Sequence, residues 1–106
     1  MLNKFIDWAQ RVASERATGI QVAIVTVGAE SDNRAARLDI DTAESVARIT
    51  CWESGDFDAE ILELKTDRQI YLRRGVLDVH ESLSRQFQPL FDALGVQGKD
   101  IGVESS

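Results

Sequence analysis

The chain has 106 residues with a formal net charge of −6, 43% hydrophobic residues, one Pro and one Cys. Cores divide only at roughly 250 residues or more, so a single α+β domain is expected over 1–100, with a polar tail at 101–106. The lone Cys51 excludes an internal disulfide, and the longest apolar-rich run, IQVAIVTVGA, is about half a bilayer span.

The opening MLNKFIDWAQ carries charge from the start, which predicts no signal peptide and a cytoplasmic location. The acidity is concentrated. Eleven acids and four bases fall between Glu30 and Asp67, a local charge of −7, so the remainder of the chain is close to neutral. Such a middle repels phosphates, which disfavours nucleic acid and anionic membrane as partners. A basic protein surface is its natural complement, although acidity also serves solubility.

In chain order, Phe5, Ile6, Trp8, Ala9, Val12 and Ala13 recur at helical spacing and predict an N-terminal helix over 3–17 with one buried stripe. Gly19 followed by Ile20 has the form of a left-handed helix stop. Five strand-like runs follow, at 20–28, 35–41, 46–52, 56–64 and 69–73, and their short connections predict an antiparallel meander. Asp78 and Glu81 stand three apart, as in a capping box, ahead of Leu83, Phe87, Leu90, Phe91 and Leu94. Pro89 lies inside that C-terminal helix and predicts a kink there, or a break into two helical pieces, before a stop at Gly95 and Val96.

Register follows from side-chain alternation, because a slip of one residue sends every side chain to the other face. A three-residue loop at Glu53, Ser54 and Gly55, with Gly55 at a positive φ, sets Cys51 against Phe57, Ile49 against Ala59, Arg48 against Glu60 and Ala47 against Ile61. A two-residue turn at Ala43-Glu44 sets Leu38 against Ile49 and Asp39 against Arg48. A two-residue turn at Thr66-Asp67 sets Ile61 against Leu72 and Glu60 against Arg73. One sheet face is then apolar and takes both helices. The other holds Asp39, Asp41, Arg48, Trp52, Asp56, Asp58, Glu60 and Arg73. Leu62, Glu63 and Leu64 break the alternation, so the fourth strand is expected to twist or bulge at its end.

Two roles are open to Trp52 on that helix-free face: packing over its strand neighbours, or anchoring a partner as Trp and Arg often do. An acidic excess on the same strands favours the second. Trp52, Asp56, Asp58 and Glu60, with Asp39, Asp41 and the loop residue Glu53, are therefore the candidate partner-binding residues. The first strand is apolar on both sides, with Val22 and Ile24 on one and Ala23, Val25 and Val27 on the other. Helix edges or chain ends would cover it, or another chain would pair with it, so the free protein is expected to be a monomer or a weak homodimer.

No catalytic constellation is apparent. His80 is the sole histidine, falls in the first turn of the second helix and has no evident nucleophile beside it; Cys51 falls on the apolar face and is expected in the core. Asp39 and Asp41, or Asp56, Asp58 and Glu60, have the spacing of a carboxylate pair or a magnesium site, but strand alternation produces the same spacing. No metal or cofactor is expected.

The run ESVARITCWESGDFDAEILEL, followed by a short hairpin and a C-terminal helix, resembles small immunity proteins encoded beside bacterial polymorphic toxins. The resemblance is to the TriTu-like immunity proteins that accompany ADP-ribosyltransferase domains of Rhs effectors. It is carried by Arg48, Ile49, Thr50, Trp52, Ser54 and Gly55 and by the acidic strand that follows, with Cys51 where an aliphatic residue is usual. It implies tight binding of a cognate toxin, occlusion of its active cleft, a cytoplasmic location, no cofactor and no turnover. The rival from another class is a small acidic secretion chaperone, dimeric through its exposed strand, that holds an unfolded effector segment. An enzyme ranks third, and would need a concave pocket lined by carboxylates.

Overall fold

A computed structural model describes residues 2–14 and 34–95 in full and the backbone of 21–27. The expected helix stop at Gly19-Ile20 and the tail at 101–106 lie outside the described residues. Helix α1 (Leu2–Ser14) buries Leu2, Phe5, Trp8, Ala9 and Val12 as one stripe. Five strands follow, β1 (Gln21–Val27), β2 (Ala35–Asp41), β3 (Ser45–Trp52), β4 (Asp56–Glu63) and β5 (Arg68–Val76). Each pairs antiparallel with its sequence neighbour, which leaves β1 and β5 as the sheet edges. Two short helices, α2 (Leu83–Gln86) and α3 (Gln88–Leu94), complete the order.

Strict alternation in β3 and β4 points Ala47, Ile49, Cys51, Phe57, Ala59 and Ile61 to the helical side, where all are buried in one cluster with α1, α2 and α3. The aromatic centre of that cluster joins the first helix to the last two. Trp8 stacks on Phe87 at 5.4 Å, Phe57 meets Phe87 edge-on at 5.4 Å, and Trp8 lies 6.2 Å from Phe91. The buried indole N–H of Trp8 donates to Ser84 Oγ at 2.9 Å, so its one polar atom is satisfied. Gly75 lies opposite Phe57, whose ring would sit 3.2 Å from an added Cβ, so a side chain there would crowd the ring.

The hairpins differ in how closely they follow alternation. Between β2 and β3, Asp39 opposes Arg48 and Leu38 opposes Ile49 across a turn closed by Thr42 N–H donating to Ser45 O at 2.8 Å. Between β3 and β4, Arg48 opposes Glu60 and Cys51 opposes Phe57 across the loop 53–55, where Gly55 takes φ 94°. The expected β4–β5 register is corrected by one residue. Glu63 opposes Arg68 across a four-residue connection, 64–67, in which Asp67 adopts φ 55°, and an irregularity between Ile61 and Leu62 adds Ile70 to β5. Ile61 therefore opposes Tyr71, Glu60 opposes Leu72, and Arg73 opposes Ala59. One residue of slip exchanges faces. Arg73 moves to the helical side, with its guanidinium 5.8 Å from the Phe57 ring, and Leu72 and Arg74 come to the open side.

The C-terminal segment also departs from the expected capping box. Ser82 is the N-cap of α2, its hydroxyl accepting from Arg85 N–H at 3.2 Å, while Asp78 and Glu81 belong to a preceding turn. Gln86 ties that turn down, donating to Asp78 O and Glu81 O, and Lys4 of α1 donates to Val79 O and Glu81 O. Of the two outcomes expected near Pro89, the break into two helical pieces is the one found: the helices meet at Phe87, with Pro89 in the first turn of α3 where its missing N–H has no helical acceptor to lose. Gly95 closes α3 at φ 82°, its N–H donating to Phe91 O.

Candidate functional site

Because α1, α2 and α3 pack on one side, no helix among the described residues covers the other side of the sheet, and cross-strand pairing arranges it in rows. At the β3–β4 hairpin end Ala35 opposes Trp52 and Asp56 opposes Val76. The next row runs Arg37, Thr50, Asp58, Arg74; the next, Asp39, Arg48, Glu60, Leu72; the last, Asp41, Val46, Leu62, Gln69. Trp52 is half-buried at its end of the face and Asp56 is exposed beside the loop.

The charges form a mosaic rather than a continuous acidic sheet. Asp39 Oδ1 lies 3.1 Å from both Arg37 Nε and Arg48 Nε and is largely shielded. Asp58 pairs with Arg74 at 3.4 Å, so the nearby bases are Arg37, Arg48 and Arg74, and the Arg73 expected here lies on the other side. Glu60 accepts from the neutral amide of Gln69 at 2.9 Å, and Asp56 accepts from Ser54 Oγ at 2.9 Å. Asp41, Asp56 and Glu60 have no basic partner within ion-pair distance among the described residues. Five acids and three bases leave the face at −2, while Glu44, Glu53 and Asp67 lie in the loops between strands. One of those loop acids, Glu53, is held by Arg34 through two contacts of 3.2 and 3.3 Å; the hydrogen bond and the cation's charge keep the Glu53 carboxyl below its ordinary range.

All seven candidate residues therefore lie on or beside this face, with distinct local roles. Alternation beyond Glu60 places Leu62 here but misses the contribution of β5. Leu62, Ile70 and Leu72 are 37%, 46% and 48% exposed, and the register slip at the bulge is what brings Leu72 to this face.

The residues weighed for chemistry are placed apart. Cys51 is fully buried, burial pushes its thiol up to about 11, and its Sγ lies 3.5 Å from Trp52 O. His80 lies in the exposed turn before α2 rather than in a helix, its backbone N–H donating to Asp78 Oδ1 at 2.8 Å. Among the described residues no group of three or more His, Cys, Asp or Glu is placed to hold a metal, and no helix is long and apolar enough to cross a membrane.

The domain is thus a two-layer α+β fold whose sheet has one helix-covered side and one side of mixed aromatic, acidic and apolar character. The sequence model of the immunity protein TriTu matches residues 3–93, and the chain belongs to that family. Its role is that of an immunity protein, one that binds a cognate toxin protein. Comparison with curated proteins finds no match.

Proposed function

We propose that the chain neutralises a toxin of the ADP-ribosyltransferase class, carried by an Rhs-type polymorphic effector, by laying its helix-free face over the toxin's active cleft in the cytoplasm of the producing cell. The observation that supports this reading is the composition of that face: a half-buried Trp52 at one end, with Asp41, Asp56 and Glu60 reaching outward without basic partners among the described residues. A cleft that grips the pyrophosphate of NAD presents cations, and cations are what these carboxylates complement. Asp58, Asp39 and Glu53 contribute at the same surface while holding Arg74, Arg37, Arg48 and Arg34 in place.

The test is a pull-down and a cell-protection assay with the toxin encoded beside this chain. Trp52→Ala, Asp56→Lys and Glu60→Lys are each expected to weaken capture at least tenfold and to reduce protection. Full capture and protection by all three would remove this face from the interface. In this reading the free protein is monomeric by light scattering, whereas a secretion chaperone pairing through an edge strand is a dimer.

A further inference from the structure

The β4–β5 bulge has a chemical consequence on the open face. Leu72 stands in the row of Glu60, and Leu62 stands one row further, opposite Val46 of β3. Leu72, Leu62 and Val46 thus form an apolar diagonal across three strands, with Ile70 as the extra residue at the bulge. Leu62, Ile70 and Leu72 remain substantially exposed, and among the described residues no strand lies beyond the edge strand β5. Glu60 and Asp41, the latter opposite Val46, border the diagonal without a basic partner among the described residues, while the bordering Arg48 and Arg74 are held by Asp39 and Asp58. Val46 and Trp52 are six residues apart on β3, about 20 Å at an extended rise, so the diagonal and the indole occupy opposite ends of one face.

We infer that this diagonal, rather than the carboxylates, supplies the holding contact with the toxin, and that it takes a cluster of apolar toxin side chains bordered by Lys or Arg. The inference rests on the immunity reading and adds a division of labour. Desolvated apolar contacts resist dissociation, while exposed charges govern the encounter and are screened by salt. The bordering carboxylates select a partner whose apolar cluster has a basic rim, which distinguishes a toxin from a second copy of this acidic chain.

The probe is the toxin encoded beside this chain, catalytically inactivated and immobilised, with binding kinetics recorded at low and high salt. Leu72→Ser and Leu62→Ser are expected to raise the dissociation rate at least tenfold while changing the association rate less than threefold. Leu72→Met, which keeps apolar bulk, is expected to retain the wild-type dissociation rate, and so is Val79→Ser at an exposed site in the turn before α2. Asp41→Lys and Glu60→Lys are expected to slow association at least tenfold at low salt, with the difference shrinking at high salt. Both leucines are exposed, and unchanged thermal midpoints for their Ser variants verify folding. Dissociation rates within twofold of wild type for both Ser variants, with wild type binding normally, would overturn the diagonal alone. Absence of binding by wild type would overturn the immunity reading for this toxin and the inference with it. A wild-type dimer in sedimentation that becomes monomeric in Leu72→Ser would assign the diagonal to a second copy and also overturn it.

Discussion

Cys51 occupies the position that strand alternation alone assigns to it, on the apolar side of β3, and it is fully buried there. What alternation does not supply is the degree of desolvation, which pushes the thiol up to about 11 from 9.0. The folded chain therefore holds this proton more tightly than the unfolded chain does. That contribution is complete below pH 9 and disappears as pH rises toward 11, a change of about 2 kcal/mol by pH 10.5 at roughly 1.4 kcal/mol per pKa unit. Urea midpoints of wild type and Cys51→Ala at pH 8 and pH 10.5 measure it: the wild type is expected to lose that much more stability than the variant between the two. Residue identity is less informative for the charges. The sequence identifies Asp39 and Arg48 as neighbours, but it does not show that Asp39 is also held by Arg37.

At the scale of elements, the β3–β4 hairpin is legible in the sequence because two independent signals agree: a glycine able to take φ 94° and unbroken alternation on both sides of it. Gly55→Ala forces a side chain into the left-handed region and is expected to cost about 1–2 kcal/mol, measured by chemical denaturation, with the sheet's circular dichroism preserved. The β4–β5 hairpin lacks that agreement. Leu62, Glu63 and Leu64 announce a break in the pattern, but periodicity cannot tell which strand receives the extra residue, and Thr66-Asp67 resembles a two-residue turn when the connection has four. Asp67 reaches φ 55° without being glycine, a conformation that Asp tolerates and that propensity alone does not require. For the C-terminal helices, Asp78 and Glu81 compete with Ser82 as cap candidates. The position of Ser82 immediately before Leu83 is the signal that could have decided it.

For the molecule as a whole, α1, α2 and α3 form a single layer that covers one side of the sheet, and the aromatic contacts of Trp8, Phe57, Phe87 and Phe91 make that layer continuous. A chain ending at Val76 loses Leu77, Leu83, Phe87, Leu90 and Phe91 from the core and exposes the apolar side of β3 and β4. It is expected to lose cooperative thermal unfolding and the near-ultraviolet dichroism of its remaining aromatic residues. Fold class is readable at this scale because a helix period, a run of alternating strands and a second helix period follow one another without interruption. The candidate surface is readable only in part, since the place of Leu72 depends on a one-residue shift that flips β5. The junction of Trp8 with Ser84 and Phe87 joins the two ends of the described chain across a separation of 76 residues. The first helix can dock on β1, β2 and β3 as these leave the ribosome, since it packs against all three, but the ring of Phe87 that stacks on Trp8 arrives only with the last helices. The buried indole N–H of Trp8 therefore meets its acceptor, the Ser84 hydroxyl, only once the C-terminal segment has been made.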